Sequence, residues 1–275
     1  MSKSAIRRVH SHRPSLESLE SRALLSTVHL LVDTLTDDPS GPVAGQTTLR
    51  DAITAADAGS AANKYVIKFA VNGTIALGMA TPLVLKGNIA IKGPGEGNLI
   101  ITGYGSQFSF GDLLTIDAEA NVKLSSLSFL GDGTYGLGDG EGGAIHNSGT
   151  LVCSDVNASD FAVLFGGGIF NDLGGVVHVS DSIFSNDTAA FGGGAILNEG
   201  SLTVHGTTFN NDTSPRSAGG AIANAQVGVM IISESTFSND NASVGADIFN
   251  AGTATIGKKI IADLGTGIYN AGTIN

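Results

Sequence analysis

The sequence has a single cysteine, Cys153, and no tryptophan among its 275 residues. One cysteine excludes an internal disulfide and a zinc site built on paired cysteines. No run of about 18 apolar residues occurs, so the sequence predicts no membrane-spanning helix. Only 14% of the residues are charged, so few groups are available to build a polar site.

Cationic side chains are also scarce, and the formal net charge is −11. Five of the 14 Lys and Arg residues lie in the first 22 positions, and Arg216 is the only one between Leu124 and Gly257. Nucleic acids and anionic membranes are bound by clustered Lys and Arg. The composition therefore argues against both partners, fits poorly with an acidic substrate, and is typical of a solvated extracellular module.

Glycine is abundant, with 39 residues that do not follow the spacing of collagen. This frequency predicts many turns and close stacking of the backbone. Hydrophobic residues make up 42% of the chain, and the prevalence of small and β-branched side chains favours short strands over long helices. The chain can therefore bury a sizeable core built from strands.

Residues 1–27 do not have the pattern of a folded domain, and we predict a disordered export or sorting segment there. Within this segment, Leu19 to Ser26 reads Leu-Glu-Ser-Arg-Ala-Leu-Leu-Ser. The stretch resembles the Leu-Glu-x-Arg-x-Leu-Leu-Ser segment found near the start of many large exported bacterial surface proteins. The resemblance implies export and implies nothing about chemistry.

Residues 47–58 form the one clear helical pattern, at the start of a β-helix that we predict over residues 28–275. Leu49, Ile53 and Ala56 fall on one face of this helix. Short strand-like runs separated by Gly, Pro and Asn follow it.

The helix and the strands after it carry two motifs. Thr47 to Ala52 reads Thr-Thr-Leu-Arg-Asp-Ala, and Ile91 to Gly95 reads Ile-Lys-Gly-Pro-Gly. Together they resemble the β-helix starts named for the motif Cys-Ser-Leu-Arg-Glu-Ala, with Thr47 in place of Cys and Asp51 in place of Glu. The resemblance implies that the helix plugs the open end of a β-helix.

The strongest pattern is a repeat that occupies residues 142–275. Motifs of the type Gly-Gly-Ala-Ile-x-Asn recur, and their final asparagines are 24, 27, 26, 26 and 20 residues apart. A repeat of this length predicts a solenoid. We expect the asparagines to stack as a ladder, with one amide in each coil. The predicted ladder consists of Asn147, Asn171, Asn198, Asn224, Asn250 and Asn270.

A second motif, Phe-x-Asn-Asp, begins at Phe184, Phe209 and Phe237, and we expect Phe129 and Val156 to hold the same place in earlier coils. Coils of a parallel β-helix stack about 4.8 Å apart, so equivalent side chains form columns. The pattern as a whole predicts an all-β fold, a right-handed single-stranded parallel β-helix of the pectin-lyase-like type, with a short N-terminal capping helix.

Both repeats resemble the Gly-Gly-Ala-Ile and Phe-x-x-Asn repeats of polymorphic outer-membrane proteins, which are bacterial adhesin-like surface passengers. This sequence departs from the second repeat because Asp187, Asp212 and Asp240 stand where the final Asn would be. The resemblance implies a location outside the cell or at the cell surface, associated with the outer membrane.

The same three aspartates form the best acidic cluster of the sequence. Stacking would place successive carboxylates about 5 Å apart, a distance that suits a calcium ion or a retaining pair of a glycosidase. The alternative is that Asp187, Asp212 and Asp240 are turn residues that cap a bend.

A glycine-rich acidic loop is a further candidate site. Asp132, Asp139 and Glu141 lie in this loop and carry the oxygen ligands that calcium prefers, although we favour the interpretation of a flexible loop between coils. Calcium is the only cofactor that the sequence suggests.

Three histidines, His146, His178 and His205, fall in strand-like positions of successive coils. His178 and His205 both follow a Val, so they could lie near each other. Because no carboxylate or Cys partner is evident, we interpret all three as outward-facing surface histidines rather than metal ligands.

The sequence favours a non-enzymatic surface or secreted module for adhesion, display or carbohydrate contact, with no catalytic residue. Two alternatives stay open, namely a polysaccharide hydrolase or lyase with acidic residues on a coil flank, and a fragment of a larger surface protein. The scarcity of basic residues in the coils argues against a uronate lyase. The expected partner is carbohydrate or another cell-surface molecule, and the oligomeric state stays open.

Overall fold

The structure is a computed structural model that describes residues 26–78, 81–103, 112–133, 142–258, 260 and 267–275. It is the predicted all-β parallel β-solenoid, in which each coil pairs with the coils before and after it. The first strand begins at Thr27, one residue before the predicted start of the solenoid. Residues 1–25 of the predicted N-terminal segment lie outside the described residues.

The longest sheet, here called the long sheet, has two legs that meet at a bend. Its first leg stacks the strands Thr27–Val32, Lys64–Phe69, Asn88–Lys92, Asn121–Leu130, Thr150–Ser159, Val176–Ser180, Ser201–His205, Val229–Ser233, Thr253–Ile256 and Thr273–Ile274. Its second leg contains Gly73–Leu77, Leu99–Gly103, Ile183–Ser185, Thr208–Asn210 and Thr236–Ser238, together with the ends of the two ten-residue strands.

Two smaller sheets complete each coil. The asparagine sheet stacks Leu83–Leu85, Leu114–Ile116, Ile145–Asn147, Ile169–Asn171, Ile196–Asn198, Ile222–Asn224, Ile248–Asn250 and Ile268–Asn270. The corner sheet stacks Ala162–Val163, Thr188–Ala189, Thr213–Ala218 and Asn241–Val244. All three sheets are parallel, because each strand pairs with its equivalent one coil away.

Left-handed residues form two bend columns in the coils from Ser126 onward. The first bend column contains Ser126, Asp155, Asp181, Gly206 and Glu234, and the second contains Asp160, Asn186, Asn211 and Asn239, all with φ between 50° and 62°. Asp and Asn adopt this conformation more readily than β-branched residues do. The recurrence of polar residues at these positions therefore has a backbone cause.

The paired glycines of the repeat lie where the coils approach most closely. A β-carbon on Gly194 would overlap the carbonyl oxygen of Gly220 in the next coil, and one on Gly220 would overlap that of Ala246. Glycine is therefore required at these positions by contact between coils.

The interior is filled by columns of apolar side chains. The rings of Phe184, Phe209 and Phe237 stack with centroids 5.3 and 4.8 Å apart, and all three are almost fully buried. Phe129 joins this column, but the prediction for Val156 is wrong, because the register places Ala158 opposite both Phe129 and Phe184. The methyl group of Ala158 gives no sequence signal for a place in an aromatic column.

The six asparagines of the repeat form a continuous hydrogen-bonded ladder. Each Nδ2 donates to the Oδ1 of the next coil, at distances of 2.8, 2.7, 2.6, 2.7 and 2.6 Å from Asn147 to Asn270. Asn147, Asn171, Asn198, Asn224 and Asn250 are fully buried. The ladder starts at Asn147 because Ile116 holds the equivalent place in the preceding coil.

The helix spans Leu49–Asp57, within the predicted range 47–58. Thr48 caps it by accepting the N–H of Asp51, whose carboxylate accepts the N–H of Thr48 in return. Arg50 on its outer side binds both carboxylate oxygens of Asp37 at 2.8 Å. The apolar face packs against the first coils. Across the described ranges, no helix has the length and apolar character needed to span a membrane.

Replacing Asn198 by alanine tests the ladder. Asn198→Ala removes the donor to Asn224 Oδ1 and to the carbonyls of Gly200 and Val229, and leaves buried acceptors unsatisfied. We expect the free energy of unfolding, measured in urea by circular dichroism, to fall by about 2–4 kcal/mol. Asn241→Ala, at an exposed strand position, is the control, with a change within about 0.5 kcal/mol. An equal effect of the two substitutions would contradict a structural ladder.

Candidate functional site

The acidic column predicted from the repeats lies inside the solenoid. Asp187 and Asp212 are fully buried and Asp240 is 8% exposed. In each case Oδ1 accepts a backbone N–H from the preceding coil, donated by Phe161, Asp187 and Asp212 respectively, at 3.0, 2.9 and 2.8 Å. The carboxylates therefore link one coil to the next.

Burial governs the ionisation of this column. Burial, and then the neighbouring carboxylate of Asp212, raises the pKa of Asp187 well above its ordinary value. Burial, and then the neighbouring carboxylate of Asp240, does the same to the pKa of Asp212. In both residues Oδ2 has no hydrogen-bond partner, which favours the neutral acid. The idea of a carboxylate pair on a coil flank is wrong for Asp187 and Asp212, because a substrate cannot reach them.

A different acidic pair faces outward on the asparagine sheet, on either side of His146. Nδ1 of His146 lies 3.5 Å from Asp112 Oδ2, and Nε2 lies 3.7 Å from Asp172 Oδ2. Ser148 Oγ donates to the same oxygen of Asp172 at 3.1 Å. The side chains of Asp112 and His146 are 13% and 19% exposed, and that of Asp172 is 39% exposed. The carboxylate of Asp172 is thus the accessible part of the group, because Nε2 of His146 and Oδ1 of Asp112 are buried.

The view that His146 has no carboxylate partner is therefore wrong. The strand with His146 pairs on one side with Leu114–Ile116 and on the other side with Ile169–Asn171. Asp112 lies just before the first of these strands, and Asp172 lies directly after the second. Neither aspartate belongs to a repeated motif, so the sequence does not show that stacking brings them to the same imidazole.

Aromatic rings extend from this group across the outside of the sheet. The centroid of Phe170 lies 5.1 Å from that of His146 and 6.4 Å from that of Phe165, and Phe165 lies 5.5 Å from Phe191. Phe170 is buried, Phe165 is half-buried and Phe191 is 50% exposed. We call the whole set the His146 cluster, and it contains Asp112, His146, Phe165, Phe170, Asp172 and Phe191.

The other two histidines do not form a pair. His178 lies opposite Thr203 and His205 lies opposite Ser180, so the two are offset along their strands. Both are exposed, as the interpretation of surface histidines expects. His205 Nδ1 is 3.2 Å from Ser233 Oγ.

The calcium prediction falls largely on residues that the structure does not describe. Asp139 and Glu141 lie outside the described residues, while Asp132 is exposed on the turn after Leu130. Among the residues with described positions, no group of three or more His, Cys, Asp or Glu side chains is placed to hold a metal ion. Calcium binding at Asp132, Asp139 and Glu141 stays a prediction.

An open groove of about 510 Å³ runs beside the capping helix and contains Arg50, Asp57 and Lys86. Arg50 is paired with Asp37. Asp57 accepts the backbone N–H groups of Lys86 and Gly87 at 2.9 and 3.0 Å. The polar groups of the groove therefore hold the helix to the first coils, and the His146 cluster is the better candidate site.

Asp212→Asn tests the ionisation of the buried column. Between the ordinary carboxyl pKa and the raised pKa of the folded state, the unfolded chain releases a proton that the folded chain keeps, so stability falls as pH rises through this window. The amide keeps an acceptor for the N–H of Asp187 and carries no charge. We expect higher stability than wild type at pH 7 and a shallower decline between about pH 4 and pH 7.

The measurement is the free energy of unfolding in urea at a series of pH values. Glu119→Gln, at an exposed turn, controls for the change in net charge. A lower stability of Asp212→Asn at pH 7 with an unchanged pH slope would show that the carboxylate is ionised and stabilising, against this account.

Comparisons with known proteins give no family for the chain. No family model matches it, and no curated protein matches it. Among solved structures, it is similar to the crystal structure of jun a 1, the major allergen from cedar pollen, with 17% sequence identity and a TM-score of 0.43 over 89% of this chain and 70% of the allergen chain. A likeness this distant says nothing about a ligand, and the fold is established by the strand pairing described above.

Proposed function

We propose that the chain is a non-enzymatic surface or secreted β-solenoid module that contacts carbohydrate through the His146 cluster. The observation that carries this proposal is the continuous set of rings from His146 to Phe191 beside two carboxylates. Sites for small ligands combine apolar or aromatic surface with a few directed polar groups. The cluster has both parts.

The chemistry of a sugar ring matches these parts. A pyranose has an apolar face of C–H groups, which can lie on the half-exposed ring of Phe191. It also has hydroxyl groups, which can donate to the exposed carboxylate of Asp172. Phe165 and Phe191, the two phenyl rings of the cluster that are not buried, lie 5.5 Å apart and favour an extended glycan over a single sugar.

The scaffold supports the site by holding its parts rigidly. Asp112, His146 and Asp172 come from three successive coils whose strands pair in register. Because strand pairing fixes all three coils and the ladder bond from Asn147 to Asn171 joins the coils of His146 and Asp172, little ordering is needed when a ligand binds. A solenoid of this kind suits display and adhesion at a surface.

The proposed location rests on sequence similarity. The Leu19 to Ser26 stretch resembles a segment of exported bacterial surface proteins, and the Gly-Gly-Ala-Ile repeats resemble those of polymorphic outer-membrane proteins. Both similarities support a place outside the cell or at the outer membrane, and the net charge of −11 suits a solvated module.

One observation favours a second candidate, a glycoside hydrolase at the same cluster. Both ring nitrogens of His146 face a carboxylate, and an imidazole held in this way can transfer protons in catalysis. The hydrolase and the binding module differ in a single readout, which is the release of reducing ends from the bound glycan.

Truncating Phe191 tests the binding proposal. Purified chain is screened on an array of neutral and acidic glycans, with and without calcium, and the dissociation constant of the best ligand is measured. We expect Phe191→Ala to raise this constant at least about 10-fold, the loss typical of a truncated aromatic contact. Tyr269→Ala is the matched control, because this ring is 49% exposed on the asparagine sheet, several coils away.

Equal losses in the two variants, or the absence of any glycan ligand, would contradict the proposed site. Reducing ends that accumulate with wild type and not with His146→Ala would replace the binding module by the hydrolase.

A further inference from the structure

Four lysines lie together on the outer surface of the long sheet, away from the His146 cluster. Lys68 lies directly opposite Lys92 in the adjacent strand. Lys123 lies opposite Ala90, two residues from Lys92, and Lys64 precedes Lys68 on the same side of its strand. The lysine face is defined by Lys64, Lys68, Lys92 and Lys123.

These side chains point outward because the residues between them fill the core. Tyr65, Ile67, Ile89, Ile91, Val122 and Leu124 are buried. Lys68, Lys92 and Lys123 are exposed and Lys64 is half-buried. None of the four forms an ion pair with a carboxylate of the described residues. The net charge of −11 argues against an acidic ligand for the chain as a whole, but these four side chains form a local group of positive charge without a direct carboxylate partner among the described residues.

Protection of a sheet edge does not explain the lysine face. Lysines often guard edge strands against pairing with other chains, but Lys64–Phe69 and Asn88–Lys92 each have a hydrogen-bonded strand on both sides. Solubility does not require this placement either, because dispersed charges of either sign serve it. Like charges directly opposite each other, as at Lys68 and Lys92, are destabilising.

The bend next to the lysine face lacks the carboxylates that the same bend carries in later coils. The first bend beside the lysine face is formed by Gly93 and Ser126, whereas later coils have Asp155, Asp181 and Glu234 at the same position. The carboxylates of that bend column are therefore absent from the coils that carry the lysines.

We propose that the lysine face binds a linear anionic polysaccharide, one that carries carboxylate or sulfate groups. The ammonium groups supply charge complementarity across three adjacent strands. Asn88 and Asn121, which are partners in register on the same surface, present amides that can bond sugar hydroxyls.

The shape and composition of the surface favour this ligand over a nucleic acid. The outward positions between the lysines are the small side chains of Val66, Ala90 and Ser125, so the surface is shallow and suits an extended chain. No aromatic side chain points outward from these three first-leg segments, and the neighbouring strand adds only the imidazole of His29, opposite Val66, so bases would have little ring surface to stack on. The proposal does not depend on the His146 cluster.

The test uses the full chain with dextran sulfate, and with dextran as a probe of the same backbone without charge. Wild type is expected to bind dextran sulfate and not dextran, with an affinity that falls steeply from about 0.05 M to about 0.2 M salt. The double variant Lys68→Gln/Lys92→Gln is expected to raise the dissociation constant at least about 10-fold. The control is Arg216→Gln/Lys258→Gln, which removes the same charge at exposed positions of later coils and is expected to change it less than about 2-fold.

Thermal unfolding separates loss of binding from loss of fold, because removal of two opposed ammonium groups leaves the lysine variant at least as stable as wild type. Equal weakening in the two double variants would show an effect of net charge alone and overturn the proposal, as would a lack of binding to dextran sulfate. Tighter binding of single-stranded DNA, lost in Lys68→Gln/Lys92→Gln, would assign the face to nucleic acid. Phe191→Ala leaves dextran sulfate binding unchanged, so this proposal and the proposed glycan site can fail separately.

Discussion

In-register stacking of parallel coils is the constraint from which the rest of the molecule follows. Each strand satisfies its backbone groups with the equivalent strand one coil away, so any side chain that points inward meets its own equivalent. Asparagine suits such a position because its amide both donates and accepts, and the ladder from Asn147 to Asn270 uses both functions. Phenylalanine suits it because flat rings stack, and glycine is needed where two backbones nearly touch.

The same constraint separates interior polar groups from surface chemistry. Asp187 and Asp212 form an acidic column, yet they are sealed inside and accept backbone N–H groups. Outward-facing residues do not have to stack or to satisfy buried backbone groups, so binding sites can form from them. The His146 cluster occupies the outside of the asparagine sheet and the lysine face occupies the outside of the long sheet, and both are assembled from residues of neighbouring coils.

The sequence predicts the fold well because stacking leaves a periodic record. Spacings of 24 to 27 residues indicate a solenoid, and Phe184, Phe209 and Phe237 mark one column. Prediction fails where a column member has no characteristic side chain. The sequence predicts Val156 in the phenylalanine column, whereas Ala158 holds that position. It also fails for sites formed by single residues, because Asp112 and Asp172 belong to no repeat and reach His146 only through the register. Buried and exposed aspartates look alike in sequence, which left the acidic column open to two interpretations.

The central claim is that the repeated aspartates are interior structure and that binding chemistry lies outside. Carbodiimide labelling of carboxyl groups in the native chain, located by mass spectrometry of peptides, tests it most directly. Asp187 and Asp212 are fully buried, whereas the Asp172 side chain is 39% exposed. We predict rapid labelling of Asp172, and labelling of Asp187 and Asp212 only after unfolding. Labelling of Asp187 or Asp212 in the native chain at the rate of Asp172 would contradict the central claim.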